Sequence, residues 1–219
     1  MENVKLLKEE ITALKEKYNV SQKITLCAVT KYVGINEIKE LVNSGVCDIA
    51  ENRVQDFLDK QTVLKDLPII WHFIGNLQTN KVKKVVNEID FLHSLDRISL
   101  VKEINKHRRE VLDCFVEVNC SGEENKQGLA ENEVVSFMRE IGKYPKIRVI
   151  GLMTIAKYTH DEKILKRTFE KLAGIRGIVQ KLNLPYAPCT ELSMGMSNDY
   201  PFAVEKGATF LRIGSKLFK

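Results

Sequence analysis

The sequence predicts an α/β fold, a single (β/α)8 TIM barrel with an extra N-terminal helix. Three observations predict it. Short, nearly continuous apolar runs recur eight times along the chain, the pattern of parallel strands covered on both faces. Between them lie stretches with apolar residues at helical spacing, and such alternation places helices outside a parallel sheet. The signs of the competing open doubly wound sheet are missing: no G-x-G-x-x-G follows the first strand and no G-x-x-x-x-G-K-[ST] occurs.

Taken in order, residues 4–14 carry apolar residues at helical spacing with charges between, a surface helix with one docked face. The period then changes to a strand over 24–30. Asn36 is placed to cap a helix over 37–43, which stops at Ser44-Gly45. Further strands are expected at 46–52, 69–75, 91–95, 114–120, 149–155, 190–194 and 209–213, with helices including 81–87, 98–106, 131–141 and 163–182. No Pro/Gly/Ser-rich linker or low-complexity tract divides the chain, so residues 1–219 are expected to form one domain.

The 219 residues are 44% hydrophobic and 29% charged, which excludes a disordered chain, a collagen and a coiled-coil rod. No apolar run approaches the roughly 18 residues that cross a bilayer. The Lys- and Glu-rich N-terminus does not resemble a signal peptide, so a cytoplasmic protein with no membrane partner is expected. Thirty-four basic against 29 acidic residues leave a net charge of +5. That favours anionic ligands such as phosphates but falls short of a nucleic-acid footprint. The densest basic run, Lys81-Val82-Lys83-Lys84, reads as a solvated helix face. Five cysteines without a C-x-x-C are expected to be reduced, with no disulfide framework and no zinc site. No H-E-x-x-H and no Ser/His/acid set appears.

Barrel chemistry sits at the C-terminal ends of strands. Lys31 closes the first strand and is a candidate amine nucleophile; the alternative is a strand-end lysine reaching to water. Asn52 ends the second strand, His72 lies in the third, His93 in the fourth and Glu117 in the fifth. A lone histidine in an apolar run is more often a core residue than a catalyst. Ser193 lies in the seventh strand with Gly195 and Ser197 after it, and Gly214 and Ser215 follow the eighth. Small residues and hydroxyls in those two loops suit a phosphate cradle, and also suit tight turns. An amine and a phosphate cradle together call for a phosphorylated carbonyl compound. Pyridoxal 5'-phosphate (PLP) fits, and so does a phosphosugar bound by a Schiff-base aldolase. Arg212 is placed to reach the middle of such a ligand, or to pair with a carboxylate such as Glu117.

These residues lie in motifs that resemble the pyridoxal-phosphate homeostasis protein family. They are Ala28-Val29-Thr30-Lys31, Glu51-Asn52-Arg53-Val54-Gln55, W-H-F-I-G-x-L-Q-x-N-K from Trp71, His93-Ser94-Leu95-Asp96, Gly151-Leu152-Met153, S-M-G-M-S from Ser193 and Arg212-Ile213-Gly214. The resemblance implies the alanine-racemase N-terminal-domain fold. It also implies a Schiff base of PLP on Lys31, with Ser193, Gly214 and Ser215 around the phosphate and Arg212 facing the pyridine nitrogen. Asn52 and His72 would line the pocket. Two positions depart from the family pattern: Ala50 precedes E-N-R where glycine is usual, and Ser197-Asn198-Asp199 replaces S-D-D.

The resemblance further implies a protein that buffers or delivers PLP, with apo-enzymes and free amino acids as partners, rather than a catalyst. Racemases of the related fold take a second base from an additional C-terminal domain of a partner subunit. The sequence shows no such domain after the eighth strand, so a monomer and at most weak racemisation are expected.

Overall fold

A computed structural model describes residues 2–123 and 127–218. Among them, eight parallel strands close into a barrel in sequence order. These are β1 (Thr25–Val29), β2 (Asp48–Glu51), β3 (Ile70–Phe73), β4 (Phe91–Leu95), β5 (Leu112–Glu117), β6 (Ile147–Met153), β7 (Glu191–Ser193) and β8 (Phe210–Ile213). Pairing of β1 with both β2 and β8 closes the ring. The helices are α1 (Glu2–Lys17), α2 (Ile35–Asn43), α3 (Val54–Leu64), α4 (Val82–Val85), α5 (Ile98–His107), α6 (Val134–Ile141), α7 (Glu162–Gln180), α8 (Tyr200–Glu205) and α9 (Ser215–Phe218). None is long and apolar enough to cross a membrane.

The extra helix α1 docks through Val4, Leu7 and Ile11, spaced at one helical face. Its outer edge is tied to the chain's far end: Glu10 accepts from Tyr200 and pairs with Lys216, whose Nζ lies 2.8 Å from Glu10 Oε2. The long helix α7 starts where Asp161 Oδ1 accepts from Lys163 N at 2.9 Å, a side-chain cap.

Several boundaries differ from expectation. The cap of α2 is Gly34, not Asn36: Glu37 accepts from Gly34 N at 3.1 Å, and Asn36 sits inside the helix. The helix expected at 81–87 shrinks to a 3-10 turn, Thr79–Lys81, and the short α4, which buries Val82 and Val85. Lys83 and Lys84 project into solvent. Strands β5 and β6 begin two residues earlier than the apolar pattern indicates, at Leu112 and Ile147. Asp113 and Arg148 hide this start, since they are polar yet pair across the strands, Arg148 Nε donating to Asp113 at 2.5 Å.

Two side-chain layers result. The larger lies between strands and helices. Each of its fully buried aliphatic and aromatic residues contributes roughly 1.5–3 kcal/mol. A smaller cluster fills the barrel itself: Cys27, Ala50, Phe115, Met153 and Phe210, with Val29, Ile74, Phe91 and Ile150 packed on it. Register shifts between Leu92 and Leu95 and between Cys114 and Phe115 change which side chains turn inward.

Candidate functional site

The barrel interior is not wholly apolar. His72 and His93 are fully buried within it, sandwiched by aromatic rings. His72 stacks on Phe91 with centroids 4.7 Å apart, and His93 stacks on Phe115 at 4.3 Å. Both imidazoles are partnered on both nitrogens. His72 Nε2 lies 3.0 Å from Asp48 Oδ1, and His72 Nδ1 lies 2.9 Å from His93 Nε2. His93 Nδ1 is 2.8 Å from Ser193 Oγ. Burial first, then the neighbouring His72 and Arg212, hold His93 well below the usual imidazole range.

Arg212 stands at the top of this series, 3% exposed. Its Nη1 donates to Ser193 Oγ at 2.6 Å and its Nη2 to Thr154 O at 2.9 Å. No ion pair joins it to Glu117 among the described residues; burial lowers its pKa from the usual guanidinium value, and the carboxylates of Asp199 and Glu117 pull the other way. Glu117 is 4% exposed. Burial, and then the negative charge of Asp96, push its carboxyl up to about 7 against the pull of Arg212.

Above lie the loops that end the strands. β1 stops at Val29, so Lys31 belongs to the following turn; it is exposed, its ammonium 4.9 Å from the Tyr32 ring centroid. Thr30 beneath it is buried and donates to Glu51 Oε1 at 2.5 Å, while Lys60 bridges Glu51 and the Thr30 carbonyl. This network fixes the backbone that presents Lys31. At the end of β2, Asn52 Oδ1 is buried with no hydrogen-bond partner. A Cβ on Gly75 would lie 2.0 Å from Asn52 O. Only glycine allows that approach, which explains the glycine in W-H-F-I-G.

After β7 the chain turns at Gly195 (φ +92°), where a Cβ would meet Ala203 at 2.6 Å. Asp199 then accepts from Met196 N at 2.5 Å and secures the turn. Ser197 Oγ accepts from Gly214 N at 3.2 Å and Lys216 N at 3.4 Å, stitching this loop to the one after β8. Ser197, Asn198, exposed Ser215 and Lys216 wall a cleft of about 450 Å³ with Asn3, Leu6, Leu7 and Glu10 of α1.

The structure therefore joins some expected residues and separates others. Gly214 and Ser215 meet in one cradle, and its serine partner is Ser197. Ser193 is enclosed instead with Arg212 and His93. His72 touches the mouth only through His93. Single-strand reading set Ser197 in the cradle loop and named His93 and Glu117 without a role, and it missed Asp48 and Thr154. Ser197 stood in a recognisable motif; Asp48 and Thr154 carried no signal. The interior also brings Cys27, His72 and His93 together, their donor atoms within 4.8 Å of one another. No spacing announced that cluster. The 2.9 Å separation of the two imidazole nitrogens is a hydrogen-bond length, and Cys27 Sγ adds a contact to His72 Nδ1 at 3.8 Å. All five cysteines are free thiols.

A sequence profile described as the alanine racemase N-terminal domain matches residues 3–219. The pyridoxal phosphate homeostasis protein of Aquifex aeolicus is 41% identical over 199 residues, spanning 88% of this chain and 85% of its own. The chain belongs to the pyridoxal phosphate homeostasis protein family. Within solved structures, an unknown protein from Bifidobacterium adolescentis superposes with a TM-score of 0.92 at 32% identity, covering 99% of this chain and 93% of that one. PipY of Synechococcus elongatus PCC7942, solved with PLP bound, gives a TM-score of 0.83 at 29% identity, covering 96% and 99%. Family membership thus agrees with the barrel and its N-terminal helix.

Proposed function

We propose that this protein binds PLP covalently on Lys31 and serves to store or deliver it, without sustained turnover. The observation that carries the reading is Arg212, a buried guanidinium held by Ser193 and Thr154 inside a barrel that carries an exposed lysine and a hydroxyl-and-amide cradle at its rim. The residues present fit the ligand. Asn52 Oδ1 lacks a partner, and the hydroxyl of Ser197, which accepts from the Gly214 and Lys216 amides and keeps its own proton to give, supplies with the exposed Ser215 hydroxyl two donors for a dianion.

Lys31 would hold the ligand: its amine can condense with an aldehyde carbon, with loss of one water. When bound, PLP supplies an electron sink for amine substrates, and its strength depends on protonation of the ring nitrogen. Arg212 cannot accept a proton, so facing that nitrogen it would keep it unprotonated and the sink weak. Exposure of Lys31 leaves the linkage open to water and to exchange. In this reading the protein works as a cytoplasmic monomer of one domain, with PLP-dependent apo-enzymes and free amino acids as partners and neither nucleic acid nor membrane.

Borohydride reduction followed by peptide mass mapping tests attachment. The pyridoxyl mass should fall on the Lys31 peptide, and its absence there would refute this reading; labelling by a phosphosugar instead would favour an aldolase. One observation favours a second reading, a weak racemase: Glu117 titrates near neutrality within the electrostatic reach of Arg212. Exchange of an amino acid's α-proton with deuterated solvent, lost in Glu117→Gln, would support it.

A further inference from the structure

We propose that Asp48, His72 and His93 are positioning residues, forming with Ser193 a one-way hydrogen-bond chain that spans the barrel and sets the charge Arg212 presents to the PLP ring. The inference rests on the PLP reading for its functional half; the chain itself stands on geometry alone.

The ends fix the direction. Arg212 can only donate, and an ionised Asp48 can only accept. Arg212 Nη1 donates to Ser193 Oγ, so the single hydroxyl proton of Ser193 goes to His93 Nδ1. His93 then carries its proton on Nε2 and donates to His72 Nδ1. His72 in turn donates from Nε2 to Asp48. The opposite order would need a second proton on His72 to satisfy Asp48 and would leave the Ser193 proton without an acceptor. Two neutral histidines, both in the Nε2–H form, are the arrangement in which every group is satisfied.

Asp48 opens β2 at the N-terminal end of the barrel, with its side chain 26% exposed, whereas Arg212 lies near the mouth. The chain therefore connects the two ends through an apolar interior where charge is poorly screened. Its polarity matters. The Asp48 charge draws each proton toward itself, which makes Ser193 Oγ a better acceptor and offsets part of the Arg212 charge. Breaking the chain leaves Arg212 more positive beside the ligand, which disfavours a protonated Schiff base and lowers its pKa. The other titratable groups facing these residues are Cys27, against His72, and Glu117 and Asp199, against Arg212, with Asp96 acting on Glu117.

The test is a pH titration of the visible Schiff-base band of the PLP-loaded protein, made in a Glu117→Gln background so that Glu117 does not titrate in the same range. His93→Gln keeps a donor toward His72 and removes the acceptor for Ser193. It should lower the Schiff-base pKa by about one unit, the scale of one hydrogen bond to a charged group. His93→Asn places an acceptor where Nδ1 was but cuts the link to His72 and Asp48, so it should restore only part of the shift. Asp48→Asn, distant from the ligand and part exposed, should lower the pKa less but with the same sign, and it carries the test if His93→Gln does not fold. Unshifted bands in Asp48→Asn and His93→Gln would overturn the proposal. Independently, nitrogen NMR of the PLP-free protein should find His72 and His93 as neutral Nε2–H tautomers at pH 7. An Nδ1–H tautomer or an imidazolium on either would overturn the chain. A parent protein with no Schiff-base band at all would refute PLP binding and this tuning role with it, while the NMR result would still decide whether the chain exists.

Discussion

The inside of the barrel and its rim are built on opposite principles. Inside, Asp48, His72, His93, Ser193 and Arg212 hand hydrogen bonds from one to the next, and aromatic rings exclude water. At the rim, Lys31, Tyr32 and Ser215 are exposed, and Asn52 Oδ1 waits without a partner. The difference separates two tasks. A buried, fully satisfied network fixes the electrostatics of a ligand, and an open rim lets that ligand arrive and leave. Substitutions should divide along the same line, with stability lost inside and binding lost at the rim.

The largest effect is expected at Arg212. Arg212→Ala leaves Ser193 Oγ and Thr154 O without their donor and opens a void, costing about 3–5 kcal/mol of unfolding free energy in a denaturant titration. A loss below 1 kcal/mol would show that the guanidinium is not held as described.

Next comes Glu117, with a defined pH window. Its folded pKa, about 7, is raised above the ordinary 4.5 by burial. A raised pKa means stability is fully present below the unfolded value and lost as pH climbs to the folded one. Stability should therefore fall between pH 4.5 and 7 by up to about 3 kcal/mol. Glu117→Gln, neutral throughout, should flatten that fall when stability is measured across pH.

Gly75→Ala is expected to cost about 1–3 kcal/mol, because the new methyl meets the Asn52 backbone and one strand end must move. A thermal midpoint equal to that of the parent would mean that the β2 and β3 ends yield freely. Lys31→Ala gives the smallest effect on folding, within about 0.5 kcal/mol, since the side chain is exposed. The same substitution should abolish covalent PLP uptake. That pairing of unchanged stability with lost binding is the sharpest contrast with Arg212.

The sequence carried the fold well because strand and helix periods are local properties. Eight apolar runs appear as eight strands among the described residues, in order, and the resemblance pointed to the right family. Lys31, Gly214 and Ser215 could be placed because each follows a strand, and strand ends are visible in the chain. The inner network could not. His93 and Ser193 are 100 residues apart and meet only because β4 and β7 face one another across the barrel. Two register shifts, in β4–β5 and β5–β6, also defeat simple alternation, so counting by twos misplaces which side chains turn inward. Asp48 carried no signal and Asn36 looked a good cap, because nothing local reveals a histidine above the one or a better-placed glycine before the other.

The most direct measurement is the visible absorbance spectrum of the purified protein after addition of PLP, recorded beside Lys31→Ala. A Schiff-base band in the parent that is missing from an equally stable Lys31→Ala is the predicted result. A parent that stays colourless, or a variant that keeps the band, would contradict the assignment of Lys31 as the residue that holds PLP.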